Sequence, residues 1–208
     1  AGSGKTRTIT YRVAYLLEQG VAQENMLLLT FTNKAAKEMI ERIAHVVGMP
    51  LNGITGGTFH SVAVKFLRQY APLIGYGSDF TILDADDSEG MMTLAMRDEG
   101  IDLKSKVYPK PKQMLSLTSF MRNAQMNIEE VIDARYQSYD RIQHIIERAL
   151  VAYTQKKREA NVMDFDDLLE QFLLILASHA DVRDQLSAKF KYILVDEYQD
   201  TNKIQSEI

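Results

Sequence analysis

The run Ala1-Gly2-Ser3-Gly4-Lys5-Thr6 passes without a break into a helical apolar period, Ile9, Val13, Leu16 and Leu17, that stops at Gly20. Few folds accommodate such a start. A glycine-rich loop that opens a helix brings backbone N–H groups and the positive end of the helix dipole up to an anion. In that setting residues 1–4 would cradle phosphates, Lys5 would reach the β- and γ-phosphates of ATP, and the Thr6 hydroxyl would ligate magnesium. A plain glycine turn before a helix is the alternative for the hexapeptide alone, so a second motif has to decide.

The next elements alternate. Residues 26–31, Met-Leu-Leu-Leu-Thr-Phe, form a short apolar run of the kind that is buried on both faces of a parallel sheet. A helix follows, with Ala36, Met39, Ile40, Ile43 and Val47 on one face and an end before Gly48 and Pro50. Residues 54–59 give a weaker strand, diluted by glycine, ahead of a helix carrying Val62, Phe66, Leu67 and Tyr70. Strand and helix in turn predict a parallel α/β sheet.

From about Phe80 some eighty residues follow with helical period and hardly any strand signal, which predicts a helical insertion. Its charges are segregated. Residues 78–102 are acidic, whereas residues 103–125 hold Lys104, Lys106, Lys110, Lys112 and Arg122 and no acid. These five are expected to form a phosphate-binding patch, with a solvated basic face as the alternative. Ile142, Ile145, Ile146, Ala149, Leu150 and Tyr153 mark a long amphipathic helix that ends near Lys156-Lys157-Arg158. The chain is expected to return to the sheet at residues 161–164, enter a helix with Leu168, Leu169, Phe172, Leu173 and Leu176, and finish on the apolar strand of "KYILVDEYQD".

That strand is the second motif. It delivers Asp196 and Glu197 to its C-terminal end, the edge at which open α/β sheets bind ligands. Asp196 can hold magnesium through water, and Glu197 can orient and deprotonate the water that attacks the γ-phosphorus. A third stretch, "LLLTFTNKAAKEM", ends a strand and starts a helix, so that Thr32, Asn33 and Lys34 can present hydroxyl, amide and ammonium groups to phosphates. Phe31 can stack on a base of single-stranded DNA. Read alone, Phe31 suits a core and Asn33 a helix cap. Thr58 and His60 in "GTFHS" carry the same two readings.

Composition narrows the rest. The 208 residues, 46% apolar, suffice for one large domain or two small ones, and the formal charge of −4 means that any nucleic-acid site is a local patch. The absence of cysteine excludes disulfides and thiolate chemistry, and four scattered histidines do not form a metal-ligand pattern. No apolar run approaches the ~20 residues of a membrane span and no signal peptide is evident, so a cytoplasmic location is expected.

Taken in order, "AGSGKT", "LTFTNKAAKEM", "GTFHS", "DFDDLL" and "VDEYQDTN" resemble the UvrD/Rep/PcrA-like DNA helicases of superfamily one, along the whole chain. The resemblance implies a RecA-like P-loop NTPase fold, with an ATPase core at residues 1–79 and 162–208 and an all-helical insertion at 80–161 that contacts duplex junctions. It implies an ATP-driven single-stranded DNA translocase, bacterial, acting in repair, replication or recombination. Gln199 would sense the γ-phosphate, and Arg7 would stack on adenine unless it is simply an exposed arginine. Phe31, Asn33, Thr58 and His60 would line the DNA track. Relative to that family the chain is expected to be a fragment, lacking the upstream strand and the second RecA-like domain with its arginine finger; the 208 residues alone are expected to be inactive, and marginal or aggregation-prone unless residues before Ala1 exist in the natural protein, which is the favoured reading. A helicase subunit of a helicase-nuclease and a nucleic-acid-binding module without turnover are the competing functions.

Overall fold

The computed structural model describes residues 4–208, with the backbone alone at positions 5 and 6. The helices are α1 (Lys5–Glu18), α2 (Asn33–Val47), α3 (Phe59–Tyr70), α4 (Ala85–Asp98), α5 (Pro111–Ala124), α6 (Ile128–Arg135), α7 (Gln143–Glu159), α8 (Phe165–Ser178), α9 (Ala180–Lys189) and α10 (Lys203–Glu207). The strands are β1 (Met26–Thr30), β2 (Thr55–Thr58), β3 (Thr81–Ile82), β4 (Val162–Met163) and β5 (Tyr192–Val195). Helices and parallel strands therefore mix as an α/β protein. The chain divides into two compact units, residues 1–66 with 174–201 and residues 67–173 with 202–208; two of the three cuts fall inside α3 and α8 and the third just before α10.

The first unit is built on a three-stranded parallel sheet of order β2-β1-β5. All five residues of β1 are buried, as its unbroken apolar run demands of a strand with neighbours on both sides. Val13 and Leu16 of α1, Met39 and Ile43 of α2, and Met26 and Leu28 of β1 share one core. Gly20 ends α1 in the left-handed region at φ 81°, and the Val21 N–H closes back on the Leu16 carbonyl at 3.0 Å, a Schellman ending. Gly48, at φ 68°, ends α2 similarly.

β5 departs from expectation. Its run is apolar, yet Ile193 is 56% exposed; among the described strands β5 pairs with β1 alone.

The second unit is mostly helical. Met92 and Met96 of α4, Met114 and Leu117 of α5, Val131 and Ile132 of α6, and Ile146, Ala149 and Tyr153 of α7 form its core. Two-residue strands, too short to register as a sequence period, close it: Thr81 pairs with Val162 and Ile82 with Met163, in parallel. Asn161 holds this return point at φ 53°, accepting from the Gly77 N–H at 2.8 Å and donating to Asp79 at 3.0 Å. A Cβ on Gly77 would lie 2.6 Å from the Asp79 carboxylate and 2.8 Å from the Asn161 amide, so a larger residue would have to push these two side chains aside.

A buried ionic cluster ties α5, α7 and α8 together. The fully buried Lys157 ammonium lies 2.5 Å from both Asp164 and Asp167, and Arg122 lies 3.1 Å from Asp164, 3.0 Å from Asp167 and 3.2 Å from Glu170. Arg122 therefore does not belong to a surface phosphate patch. Its guanidinium is committed to carboxylates about forty residues later in the chain, and their charge holds its proton more firmly than in water. Asp164 and Asp167 also cap one another's backbone N–H at 2.8 Å, which starts α8, and the Tyr153 hydroxyl donates to Asp164 at 2.9 Å.

Candidate nucleotide and nucleic-acid site

Parallel pairing puts the strand ends of the first unit in one row. Leu29 stands opposite Val195 and Thr30 opposite Thr58, so the residues that follow, Phe31, Phe59 and Asp196, leave the same C-terminal edge. The ladder runs one bond further, from the Asp196 N–H to the Leu29 carbonyl at 2.9 Å. Asp196 is nearly buried, and one of its carboxylate oxygens accepts from the Glu197 N–H at 3.2 Å.

Glu197 is a non-glycine residue in the left-handed region, at φ 52° and ψ 43°. Such a backbone costs about 1–2 kcal/mol, and it turns the chain sharply off β5 so that Glu197 leads the short helical turn of Tyr198–Asp200. The Gln199 side-chain amide donates to the Glu197 carboxylate. The three polar residues expected at this strand end thus form one connected group.

Gly4 caps the start of α1 at φ 74°, a left-handed conformation that suits glycine. Among the described residues no side chain caps this helix, and the sequence of its first turn holds no acid, so the helix dipole there favours an anion. This agrees with the donor set that a nucleotide's phosphates require, and the carboxylate of Asp196 agrees with a hard divalent cation. Ala1, Gly2 and Ser3 and the side chains of Lys5 and Thr6 lie outside the described residues. Arg7 is exposed, its guanidinium over the Tyr11 ring at 5.5 Å from the centroid.

The stretch expected to meet DNA is arranged by helix caps. Thr32, not Asn33, is the N-cap of α2, its hydroxyl accepting from the Ala35 N–H at 3.1 Å, which leaves Asn33 exposed on the first turn. Thr58 accepts from the Ser61 N–H at 3.1 Å at the start of α3, and His60 is half-buried on that turn. Phe31 is 40% exposed, with its ring 6.3 Å from that of the buried Phe59. Core packing claims Phe59 and leaves much of Phe31 to solvent. Lys34 is highly exposed and pairs loosely with Glu38 at 3.8 Å.

Beside these residues runs a groove of about 530 Å³ whose walls include Asn33, Lys37, Gly56, Gly57 and Ser61. Sequence reading passed over Lys37 and Ser61. The spacing from Asn33 to Lys37, one helical turn, was the signal for the first.

Two further expected contacts, Lys110 and Lys112, belong to the second unit. Both are exposed. The Lys110 ammonium folds back onto the Leu103 carbonyl at 2.5 Å and the Ser105 carbonyl at 3.2 Å, bracing the loop before α5. Lys112 lines a hollow of about 340 Å³ shared with Asp86, Glu89 and Asp166, so carboxylates neighbour its charge.

The comparisons accord with this arrangement. Residues 1–208 match the UvrD/REP helicase N-terminal domain family. The chain is 37% identical over 207 residues to the ATP-dependent DNA helicase UvrD1 of Mycobacterium tuberculosis (strain ATCC 25618 / H37Rv), covering 99% of this chain and 26% of that protein. It is 37% identical over 206 residues to the ATP-dependent DNA helicase PcrA of Staphylococcus aureus (strain NCTC 8325 / PS 47), covering 99% of this chain and 27% of that protein. The chain thus spans about a quarter of the length of the curated relatives it matches. With a family match along its entire length, the chain belongs to the UvrD/REP helicase N-terminal domain family.

Proposed function

We propose that this chain carries the ATP-binding half-site and part of the DNA track of an ATP-driven single-stranded DNA translocase and helicase. The observation that carries the reading is the row of strand ends in the first unit, where the Asp196-Glu197-Gln199 group and the Phe31-Thr32 and Thr58-His60 turns leave one edge of one sheet. A machine that converts hydrolysis into movement along a strand needs its nucleotide sensor and its strand contacts on one rigid element. The proposed fold is RecA-like, with the core at residues 1–79 and 162–208 and a helical insertion at 80–161. The helical core of the second unit supports the insertion.

In this account the phosphates sit at the start of α1, held by the N–H groups of residues 2–6 and by the Lys5 ammonium. The Thr6 hydroxyl and, through water, Asp196 would hold magnesium, which would supply positive charge to the phosphates. Glu197 accepts the proton of the attacking water as its oxygen bonds to the γ-phosphorus and the bridge to the β-phosphate breaks. Gln199, bonded to that carboxylate, orients it and reads the γ-phosphate. Arg7 offers a flat cationic face to the adenine. A second RecA-like domain of the same protein closes the cleft.

Phe31 stacks on a base, while Thr32, Asn33, Lys34, Thr58 and His60 contact the backbone of the strand, and Lys110 and Lys112 meet the duplex at a junction. The work is placed in the bacterial cytoplasm, in repair, replication or recombination. The test is the ATPase rate of the full-length protein with and without single-stranded DNA. Stimulation by the strand is expected. DNA binding with no turnover under either condition would make the protein a binding module instead.

A further inference from the structure

The exposed face of α1 carries a ladder of two cation–π pairs: Arg7 over Tyr11 at 5.5 Å and Arg12 over Tyr15 at 5.7 Å, with the two tyrosine side chains about half exposed. No acidic residue lies within four positions of either arginine, and the first acid on the helix is Glu18. A carboxylate at the usual helical spacing would have fixed either guanidinium edge-on in a salt bridge, and a tyrosine ring one turn later stands 5.5–5.7 Å from it instead. Arg7 is also unfavourably placed for helix stability, since a cation on the first turn opposes the helix dipole. A stack on an i+4 ring is the contact on α1 that holds this side chain.

We infer that Tyr11 is a positioning residue for nucleotide binding: it presses the Arg7 guanidinium flat, so that a nucleobase can stack on the opposite side and form a base–guanidinium–phenol sandwich. The inference rests on the proposed placement of a nucleotide at the start of α1. A planar guanidinium has two faces, and a group already held against one of them loses little freedom when the other is covered. The second rung, Arg12 with Tyr15, is the same chemistry one turn further from the phosphate loop. It serves as an internal control.

The experiment titrates the full-length protein, in magnesium buffer without DNA, with ADP and with inorganic pyrophosphate as the probe that lacks a base. Arg7→Ala is expected to weaken ADP about tenfold and leave pyrophosphate unchanged. Tyr11→Ala is expected to weaken ADP about two- to fivefold, the size of an exposed cation–π contact, again with pyrophosphate unchanged. Tyr11→Phe should restore the parental affinity, Tyr15→Ala should match the parent, and Tyr11→Ala should add nothing in an Arg7→Ala background. Loss of ADP affinity on Tyr11→Ala that persists without Arg7 would mean that the tyrosine meets the nucleotide itself, and equal losses for pyrophosphate would mean a general disturbance of α1. Either result overturns the inference, as does a parental Tyr11→Ala beside a weakened Arg7→Ala, which would leave the nucleotide site standing. If Arg7→Ala itself binds ADP normally, the placement of the base is wrong and the inference falls with it.

Discussion

Replacing Lys157 with Met removes the cation at the centre of the buried cluster and leaves Asp164 and Asp167 facing each other beside Arg122. The ammonium is fully buried and lies 2.5 Å from both carboxylates, so its loss strands negative charge in a site that water does not reach. Breaking one side of such a buried pair costs about 3–5 kcal/mol, against about 0.2–1 kcal/mol for a surface pair. Met fills the aliphatic volume of the lysine stem, so cavity formation contributes little and the loss reports electrostatics. The assay is native-state hydrogen exchange on the full-length protein, read at amides of α7 and α8. Opening should become about 10²–10³-fold more frequent there, following ~1.4 kcal/mol per tenfold, while α1 and α2 stay at the parental rate. The double variant Lys157→Met, Asp167→Asn removes one charge of each sign and keeps the cap on the Asp164 N–H, so it should recover part of the loss. Exchange in Lys157→Met within threefold of the parent would refute the cluster as the strut of the second unit.

Three further outcomes follow from the same contacts. Burial pushes the Asp164 carboxyl up, but Lys157 and Arg122 outweigh it and hold the group below its ordinary value, so its stabilisation is present above the unfolded value of 3.8 and is lost as pH falls through the lowered folded value; Asp164→Asn should flatten that acid limb in a pH series of thermal melts. Thr32→Ala removes the α2 cap and should cost about 1 kcal/mol, seen as faster exchange in the first turn of α2 and lower stability of the first unit. Reversing Lys110 and Lys112 to glutamate should weaken binding to a duplex–single-strand junction more than to a plain single strand, and equal losses on both would count against a duplex role.

Much of this arrangement could be read from the chain before its structure, and the limits are physical. β1 and α2 announced themselves because their apolar periods are unbroken and their ends carry caps or glycine. β5 was legible as a strand but its pairing was not, since a continuous apolar run reports hydrophobicity and says nothing of how many neighbours it has. β3 and β4, two residues each, have no period to detect.

Arg122 was misread for a related reason. The charged residues that precede it in the chain, from Lys104 to Lys112, are all lysines, while its partners, Asp164, Asp167 and Glu170, arrive some forty residues later. Two signals were present all the same. The apolar stripe Ile146, Ala149, Tyr153 continues at helical spacing to Lys157, which marks that lysine as buried, and "DFDD" places two aspartates three apart at a helix start, the spacing of reciprocal caps.

At the candidate site the residue types were legible and their conformations were not. The acids after an apolar strand pointed to Asp196 and Glu197, yet nothing in "DEYQD" gives away the left-handed backbone at Glu197 or the bond from Gln199 that steadies its carboxylate.

The central claim is that Glu197 is the base that activates water for ATP hydrolysis, and Glu197→Gln in the full-length protein tests it most directly. The glutamine is nearly isosteric and leaves Asp196 in place, so ATP and magnesium should bind with parental affinity while DNA-stimulated hydrolysis falls by about two orders of magnitude or more. DNA-stimulated hydrolysis by Glu197→Gln at the parental rate would contradict the account.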